Sequence, residues 1–330
     1  MILRALRFTS VLYSGRGAEK SRDAAHIDSP TPHYPNFHLE CNVCPVPMPQ
    51  ASVPTAPLAA ITIRPDKPGP RVQIRSARGF EWTQLEITVS GLHPSLDGMR
   101  LLHLTDLHCR RWWDPAYDEL IARVKRNPPD AILFTGDFVE SKRDSRPAIP
   151  TVKRLFSQLS SRLGTFAIVG NHDGDLVIPS LKNCNLTFID HRRMYLESGD
   201  AAIELIGLPG VWRDDLDLGW VETLGPKRPA SLRIALCHFP DILPKVAGLK
   251  PDLYLTGHTH GGQVTLPGGL PIFRHDSFPR RLCTGIHQAY GTTLVVNRGF
   301  GYSSVIMLRM FCPTEVVEIL VRASDAPIQP

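Results

Sequence analysis

Residues 257–263 place two histidines, His258 and His260, one residue apart on a glycine-rich segment. An apolar run at residues 253–255 leads directly into it, so we predict a buried strand that ends in a tight loop. Packing alone requires no such pair, and two neutral imidazoles held close together are well suited to binding a divalent cation. The segment therefore predicts part of a metal site whose other ligands come from elsewhere in the chain.

Four other apolar runs also end in side chains that can bind a metal or carry a proton. In chain order they are Asp106 and His108 after residues 99–104, Asp137 after residues 131–134, Asn171, His172 and Asp173 after residues 166–169, and His238 after residues 232–236. Ligands of open α/β sheets gather beyond the carboxyl ends of the strands, so we expect these side chains to meet at one edge. Any one of these motifs is more often a turn, a cap or a buried histidine, and the prediction rests on their joint placement.

The segments between these strand ends predict the elements that position them. A helix is expected after Asp114 and Pro115, which suit its first positions, and the apolar spacing of residues 117–124 gives it one buried face. A second helix is expected over residues 152–159 on the same spacing. The order strand–helix–strand–helix–strand implies parallel strands joined by right-handed crossovers.

The second half of the chain is richer in strands. Candidate strands cover residues 186–189, 203–208, 232–236, 253–255, 294–296 and 316–320. Residues 72–75 and 85–89 alternate apolar and polar side chains, which predicts two edge strands. Two sheets packed face to face with helices outside account for the whole pattern, and they place the chain in the α/β class.

Composition narrows the classes of protein that fit. The chain has 330 residues, 42% hydrophobic content and a formal charge of +5, values of an ordinary globular protein that are compatible with an anionic substrate. It has no dense Lys/Arg block with interleaved aromatic residues, so we expect no nucleic-acid partner. Its seven cysteines are scattered, which favours a reducing compartment over a disulfide framework.

Three segments of the chain differ in composition. Residues 1–70 form a Pro-rich leader that we expect to be disordered or poorly ordered, because it offers too little apolar surface to offset the entropy of ordering. Residues 71–322 carry all the predicted strands and helices and are expected to form one domain. Residues 323–330 are expected to be a tail.

The order Asp-x-His, Gly-Asp, Gly-Asn-His-Asp, His and Gly-His-Thr-His resembles the signature of the calcineurin-like metallophosphoesterases, from about residue 99 to residue 321. Residues 257–263 and 295–301 are most similar to the YaeI/YkuE-type branch. That branch includes LpxG-type enzymes, which cleave UDP-2,3-diacylglucosamine in lipid A synthesis. The resemblance implies that residues 71–322 fold as a four-layer α/β/β/α sandwich, with two mixed sheets flanked by helices.

The resemblance also implies a dinuclear metal centre. Its first metal would be held by Asp106, His108 and His260, its second by Asn171, His238 and His258, with Asp137 bridging both. Two cations about 3.5–4 Å apart can share a hydroxide and clamp the attacking and leaving oxygens of a phosphoryl group. Carboxylate and imidazole ligands suit Mn²⁺, Fe or Zn²⁺, and the sequence does not choose among them.

Further residues are assigned to catalysis and to the substrate. By resemblance, His172 would stand over the leaving-group oxygen as proton donor or charge stabiliser, and Asp173 would orient it and keep it protonated. Four arginines near the predicted loops are candidates to bind phosphate, although each is equally an ordinary surface charge. They are Arg110, Arg111, Arg213 and Arg298.

The expected function is metal-dependent hydrolysis of a phosphodiester or diphosphate bond. The substrate would be a phosphorylated small molecule or a lipid-linked nucleotide, with UDP-2,3-diacylglucosamine as the specific expectation. The alternatives are a phosphomonoesterase or nucleotide phosphodiesterase of the same fold and a metal-binding scaffold without turnover, because loops rather than metal ligands set specificity. A cytoplasmic location with peripheral contact at the inner membrane is expected, without a protein partner.

Overall fold

A computed structural model describes residues 8–11, 61–141, 143–208, 210, 218–272, 278–303 and 307–323, with side chains from residue 66 onward. Most of the predicted leader and residues 324–330 of the predicted tail lie outside these ranges. Two strands, Phe8–Val11 and Ile61–Pro65, fall within the segment predicted to be the leader. Within the described ranges, no helix is both long enough and apolar enough to span a bilayer.

Two seven-stranded mixed sheets dominate the fold. The first has the order β2 (Ile61–Pro65), β4 (Glu81–Val89), β16 (Glu315–Ala323), β5 (Arg100–Leu104), β6 (Ala131–Phe134), β7 (Thr165–Ala167) and β8 (Thr187–Phe188). The second has the order β1 (Phe8–Val11), β9 (Arg192–Ser198), β10 (Ala201–Gly207), β11 (Ser231–Leu236), β12 (Leu253–Thr256), β14 (Thr292–Val296) and β13 (Gly285–Ala289). Strands β5 to β8 are parallel, as are β10, β11, β12 and β14.

Helices cover the outer faces of the two sheets. They are α1 (Ala116–Arg126), α2 (Ile149–Phe156), α3 (Val177–Leu181), α4 (Gly219–Glu222) and α5 (Leu243–Val246). One apolar core joins the sheets, with Leu101 and Ile319 of the first packed in the same cluster as Ile203 and Ile234 of the second. Full burial of such a side chain stabilises the fold by about 1.5–3 kcal/mol. The predicted four-layer α/β/β/α arrangement is confirmed.

Local signals placed most elements within a few residues. Helix α1 begins at Ala116, beside Asp114, whose carboxylate accepts the Ala116 N–H at 2.9 Å. The prediction that residues 85–89 form an edge strand is wrong, because β4 lies between β2 and β16. Alternation of apolar and polar residues reports the two faces of a strand and says nothing about its neighbours. The other predicted edge strand, β3 (Val72–Ile74), pairs with β15 (Leu308–Met310) in a separate small sheet.

Candidate metal centre

Five loops that follow strands meet at one edge of the two large sheets. The loops after β5, β6 and β7 come from the first sheet, and those after β11 and β12 come from the second. Hydrogen bonds tie the loops together: the Asp106 N–H donates to the Gly136 carbonyl at 2.9 Å, and the Gly257 N–H donates to the His238 carbonyl at 3.3 Å. The strand ends therefore converge as the sequence predicted.

The backbone at this edge adopts a left-handed conformation at several non-glycine positions. They are Asp106 (φ 51°), His108 (φ 44°), Asp137 (φ 60°), His258 (φ 66°) and His260 (φ 52°). Each such residue costs on the order of 1–3 kcal/mol, and strain of this kind clusters at functional sites. Gly257 has no alternative, because a Cβ there would collide with Thr105 and the Asp106 carboxylate.

One cluster of buried side chains surrounds His108. Its Nε2 lies 3.0 Å from His260 Nε2, 3.8 Å from Asp106 Oδ1 and 3.5 Å from Asp137 Oδ2. His260 Nε2 lies 3.4 Å from Asp106 Oδ1. Two ligands that each lie about 2.0–2.2 Å from a shared cation are about 3–3.5 Å apart, so these spacings suit one cation.

Asp137 connects this cluster to a second one. The same Oδ2 oxygen that faces His108 lies 3.2 Å from His238 Nε2. The His238 ring meets the His258 ring edge to face, with centroids 5.1 Å apart. His258 Nδ1 in turn lies 3.0 Å from Asn171 Oδ1. All seven residues predicted as metal ligands are thus linked by direct contacts.

The histidines at the centre favour the ionised form of the buried carboxylates. Burial raises the pKa of Asp106, but His260 and His108 outweigh it and hold that pKa well below its usual value. Burial likewise opposes the shift at Asp137, where His238 lowers the pKa to about 2. Burial alone would lower the pKa of His108 and of His238, yet the nearby carboxylates raise these to about 10 and about 9. The carboxylates of the cluster therefore stabilise positive charge at this position.

Two buried atoms at the centre have a free position for a metal ion. Within the described residues, the buried Asp106 Oδ1 and His238 Nε2 make no hydrogen bond. Buried polar atoms nearly always have a partner, so these two mark where a cation would supply one. The sets Asp106–His108–His260 and Asp106–Asp137–His238 each bring ligand atoms within 4.8 Å of one another. The donors present therefore fit a divalent cation.

Two functional side chains were missed by the sequence interpretation. Glu140 Oε2 lies 3.1 Å from His108 Nδ1, an ion-pair distance without hydrogen-bond alignment. Arg309 is 1% exposed, and its guanidinium donates to His260 Nδ1 at 3.0 Å and to the His260 carbonyl at 3.2 Å. The available signals were weak: an acid three residues after Asp137, and an arginine within an apolar strand.

His172 and Asp173 lie beside the cluster. Contrary to the prediction, the Asp173 carboxylate does not contact the His172 ring. The His172 N–H donates to Asp137 Oδ1 at 2.8 Å, and the Glu140 carbonyl lies 2.8 Å from its Nδ1. The Asp173 carboxylate instead accepts backbone N–H groups of four residues: Asp137, Phe138, Val139 and Gly170. Burial and the Asp137 carboxylate raise the pKa of Asp173 to about 8, although the backbone N–H groups of Gly170 and Val139 act in the opposite direction. Asp173 therefore shapes the loop after β6, and Glu140 orients the His172 ring.

The predicted substrate arginines differ in their surroundings. Arg110 lines a pocket with His108, and its Nη2 lies 3.5 Å from Glu140 Oε1. Arg111 is exposed. The Arg298 guanidinium is engaged by two carboxylates, Glu81 at 2.5 Å and Glu315 at 3.0 Å, rather than left for a phosphate. Arg213 lies outside the described residues.

Comparison with known proteins shows which family this sequence resembles. Residues 99–262 match the calcineurin-like phosphoesterase family. The uncharacterized metallophosphoesterase YkuE of Bacillus subtilis is 29% identical over 257 residues, covering 74% of this chain and 87% of YkuE. The phosphodiesterase YaeI of Escherichia coli is 29% identical over 227 residues, covering 66% of this chain and 80% of YaeI.

A third relative has a named substrate. The UDP-2,3-diacylglucosamine pyrophosphatase LpxG of Chlamydia trachomatis is 24% identical over 241 residues, covering 56% of this chain and 70% of LpxG. The matched family region spans the loops after β5, β6, β7, β11 and β12, which carry every candidate ligand. The chain therefore carries a calcineurin-like metallophosphoesterase domain over residues 99–262, and this family hydrolyses phosphoester bonds with the help of metal ions.

Proposed function

We propose that this chain is a dinuclear metal-dependent phosphodiesterase or pyrophosphatase. Seven side chains would hold the two cations: Asp106, His108 and His260 the first, Asn171, His238 and His258 the second, and Asp137 both. The observation that carries the proposal is the position of Asp137 Oδ2, 3.5 Å from His108 Nε2 and 3.2 Å from His238 Nε2. One carboxylate oxygen thus faces a ligand of each set.

The chain's own residues would position the substrate and move a proton. Two divalent cations, when bound, would polarise the phosphoryl oxygens and lower the pKa of water. His172 is half-buried, and the Glu140 carbonyl 2.8 Å from its Nδ1 favours a proton on that nitrogen. In the doubly protonated imidazolium, its Nε2 is then the atom that would give its proton to the leaving-group oxygen, which leaves the ring neutral with its proton on Nδ1. The His172 ring meets the His108 ring edge to face at 4.8 Å, so this proton donor adjoins the first cation site.

The residues beside the metal centre offer both charged and apolar contacts to a substrate. The pocket beside His108 is lined by Arg110 and by aromatic residues that include Trp112 and Tyr302. The Arg110 guanidinium lies over the Trp112 ring, 5.6 Å from its centroid. Guanidinium groups bind phosphate oxygens, and aromatic rings pack against bases or acyl chains. A nucleotide diphosphate linked to a lipid, such as the LpxG substrate UDP-2,3-diacylglucosamine, is therefore the specific candidate.

Hydrolysis of a small panel of substrates tests this function. The purified chain would be assayed on bis(p-nitrophenyl) phosphate, p-nitrophenyl phosphate and UDP-2,3-diacylglucosamine with Mn²⁺, Zn²⁺ or Mg²⁺. We expect turnover of the diester and of the diphosphate, lost with a chelator and restored by metal. Preference for the monoester would support a phosphomonoesterase instead. Stoichiometric metal binding without turnover of any substrate would support a binding scaffold.

A further inference from the structure

The small sheet of β3 and β15 has its polar side chains inward and its apolar side chains outward. Gln73 and Arg309 are 4% and 1% exposed, whereas Val72 and Ile74 are 51% and 63% exposed. Gln73 donates to the Thr314 hydroxyl at 3.2 Å. A sheet with one solvated face normally turns its apolar side chains to the core, so this arrangement is inverted.

The strand register places further apolar residues on the same outer face. Ile74 pairs with Leu308, and Val72 pairs with Met310. Met310 also forms a β-bridge with Val264, in the segment of residues 263–272. Because side chains at alternate positions of an extended chain share a face, Leu266 lies on the same side as Val264. That segment continues through Leu266 and Leu270, which are 49% and 50% exposed. The β3–β15 apolar face is thus formed by Val72, Ile74, Leu266, Leu270, Leu308 and Met310.

Positive charge accompanies this face. Arg71 and Arg75 are exposed at the two ends of β3, and Lys67 and Arg78 are exposed nearby. Residues 263–272 contain no charged residue. The one acid among residues 66–80, Asp66, lies 2.6 Å from the Arg123 guanidinium. An apolar surface with a basic margin is complementary to an anionic interface that has an apolar interior.

Strand β15 lies between the β3–β15 apolar face and the candidate metal centre. Arg309 points inward from β15 and donates to His260 Nδ1 at 3.0 Å. Arg75, at the end of β3, lines the same pocket as His108, together with the 47% exposed Trp112. A surface bound at this face would therefore lie next to the mouth of that pocket.

We propose that the β3–β15 apolar face docks this protein on the surface of an anionic lipid bilayer. The apolar side chains would enter the headgroup region while Arg71 and Arg75 contact lipid phosphates. A second copy of the chain is a poorer occupant, because a symmetric contact would bring these arginines of both copies together. Docking would deliver lipid-linked phosphate esters to the pocket at His108, a consequence that rests on the proposed function.

Vesicle sedimentation tests the docking surface directly. The full chain would be mixed with phosphatidylcholine vesicles that contain or lack phosphatidylglycerol, and the bound fraction measured at low and high salt. We expect binding only with phosphatidylglycerol, weakened by salt, and reduced about tenfold by Ile74→Glu. Ile178→Glu, at a 41% exposed residue of α3, is the matched control and should bind like wild type.

Several outcomes would overturn the proposal. They are no binding of the wild type, equal binding of Ile74→Glu, equal losses in both variants, or a wild-type dimer that Ile74→Glu dissociates in light scattering. Hydrolysis of bis(p-nitrophenyl) phosphate separates docking from catalysis. Ile74→Glu should keep wild-type activity on this soluble diester, which also shows that it folds. A wild type that binds vesicles but hydrolyses no substrate would contradict the proposed function and leave the docking surface standing.

Discussion

The two halves of the candidate metal centre are supported in different ways. Around the proposed first cation position, charged side chains contact the predicted ligands, with Glu140 beside His108 and Arg309 beside His260. Around the proposed second cation position, a backbone group contacts the predicted ligand instead, since the Thr135 carbonyl lies 2.7 Å from His238 Nδ1. One backbone bond joins the two halves, since the His258 N–H donates to Asp106 Oδ2 at 3.0 Å.

A substitution can remove a side-chain partner of a ligand, but it cannot remove a backbone partner that the strand geometry holds in place. A carbonyl at the end of β6 stays in place whatever its side chain is, so the orientation of His238 follows from the sheet. Glu140 lies in the loop after β6, so it can be replaced without altering a strand. We therefore expect the first cation position to be the more adjustable one, since partners of ligating histidines tune metal affinity.

The largest effect is expected where the two halves meet. Asp137→Ala removes the one carboxylate shared by both and should lower kcat/KM at least about 10³-fold, because metal positioning supplies several kcal/mol of transition-state stabilisation. Metal content, measured by mass spectrometry, should fall at both positions. Asp144→Ala, at an exposed aspartate, is the control. Retention of two tightly bound metals by Asp137→Ala would argue against a bridging carboxylate.

Removing one histidine of the His-Thr-His pair should separate the two halves. His260→Ala should weaken the first cation and His258→Ala the second, each by more than about 100-fold in affinity, since a ligand matters more than its supporting groups. Titration with Mn²⁺ followed by calorimetry would report one remaining site in each variant. If each variant lost both sites, or if both variants lost the same site, the two histidines would not serve different cations.

His172→Ala tests a residue outside both halves. We expect kcat to fall about 10²–10⁴-fold, the range for a general acid, with metal content unchanged. The ring lies within 4.8 Å of the ligand atoms of His108 and Asp137, so metal analysis is the deciding measurement. Loss of a metal in this variant would make His172 a ligand.

Glu140→Gln should weaken only the first half. The substitution keeps the shape but removes the charge beside His108 Nδ1, and we expect a loss of about 10–100-fold in affinity for the first cation. Glu119→Gln on α1 makes the same change at a carboxylate paired with Arg123 and should leave metal binding intact. Equal weakening of both cations by Glu140→Gln would contradict the asymmetry.

The last effect concerns stability rather than metal binding or activity, at a residue beneath the second half. His103 is fully buried, with its Nε2 2.9 Å from the Thr135 hydroxyl, and burial lowers its pKa from 6.5 to about 4. Because the unfolded chain binds this proton first, stability should fall as the pH drops from 6.5 towards 4, by up to about 3 kcal/mol. His103→Gln should flatten that dependence in urea unfolding measured across this range. An unchanged slope would show that other groups control it.

Sequence alone determined which residues stand at the strand ends. Apolar runs followed by Asp, His or Gly are local patterns, and the ends of parallel strands must lie at one edge of a sheet. That reasoning placed Asp106, Asp137 and His238 together, although they are separated by up to 132 residues. It could not assign neighbours within the sheet, as β4 shows, because alternation carries no information about pairing.

Only the tertiary structure decided what stands behind each ligand and which way the long side chains point. Arg309 reaches His260 from a strand 49 residues later, and Arg298 turns to Glu81, 217 positions away. The inverted face of β3 and β15 has the same cause, since alternation at Val72–Ile74 fits either orientation of the strand. Here the buried partners of Gln73 and Arg309 hold the polar side inward and leave the apolar side exposed.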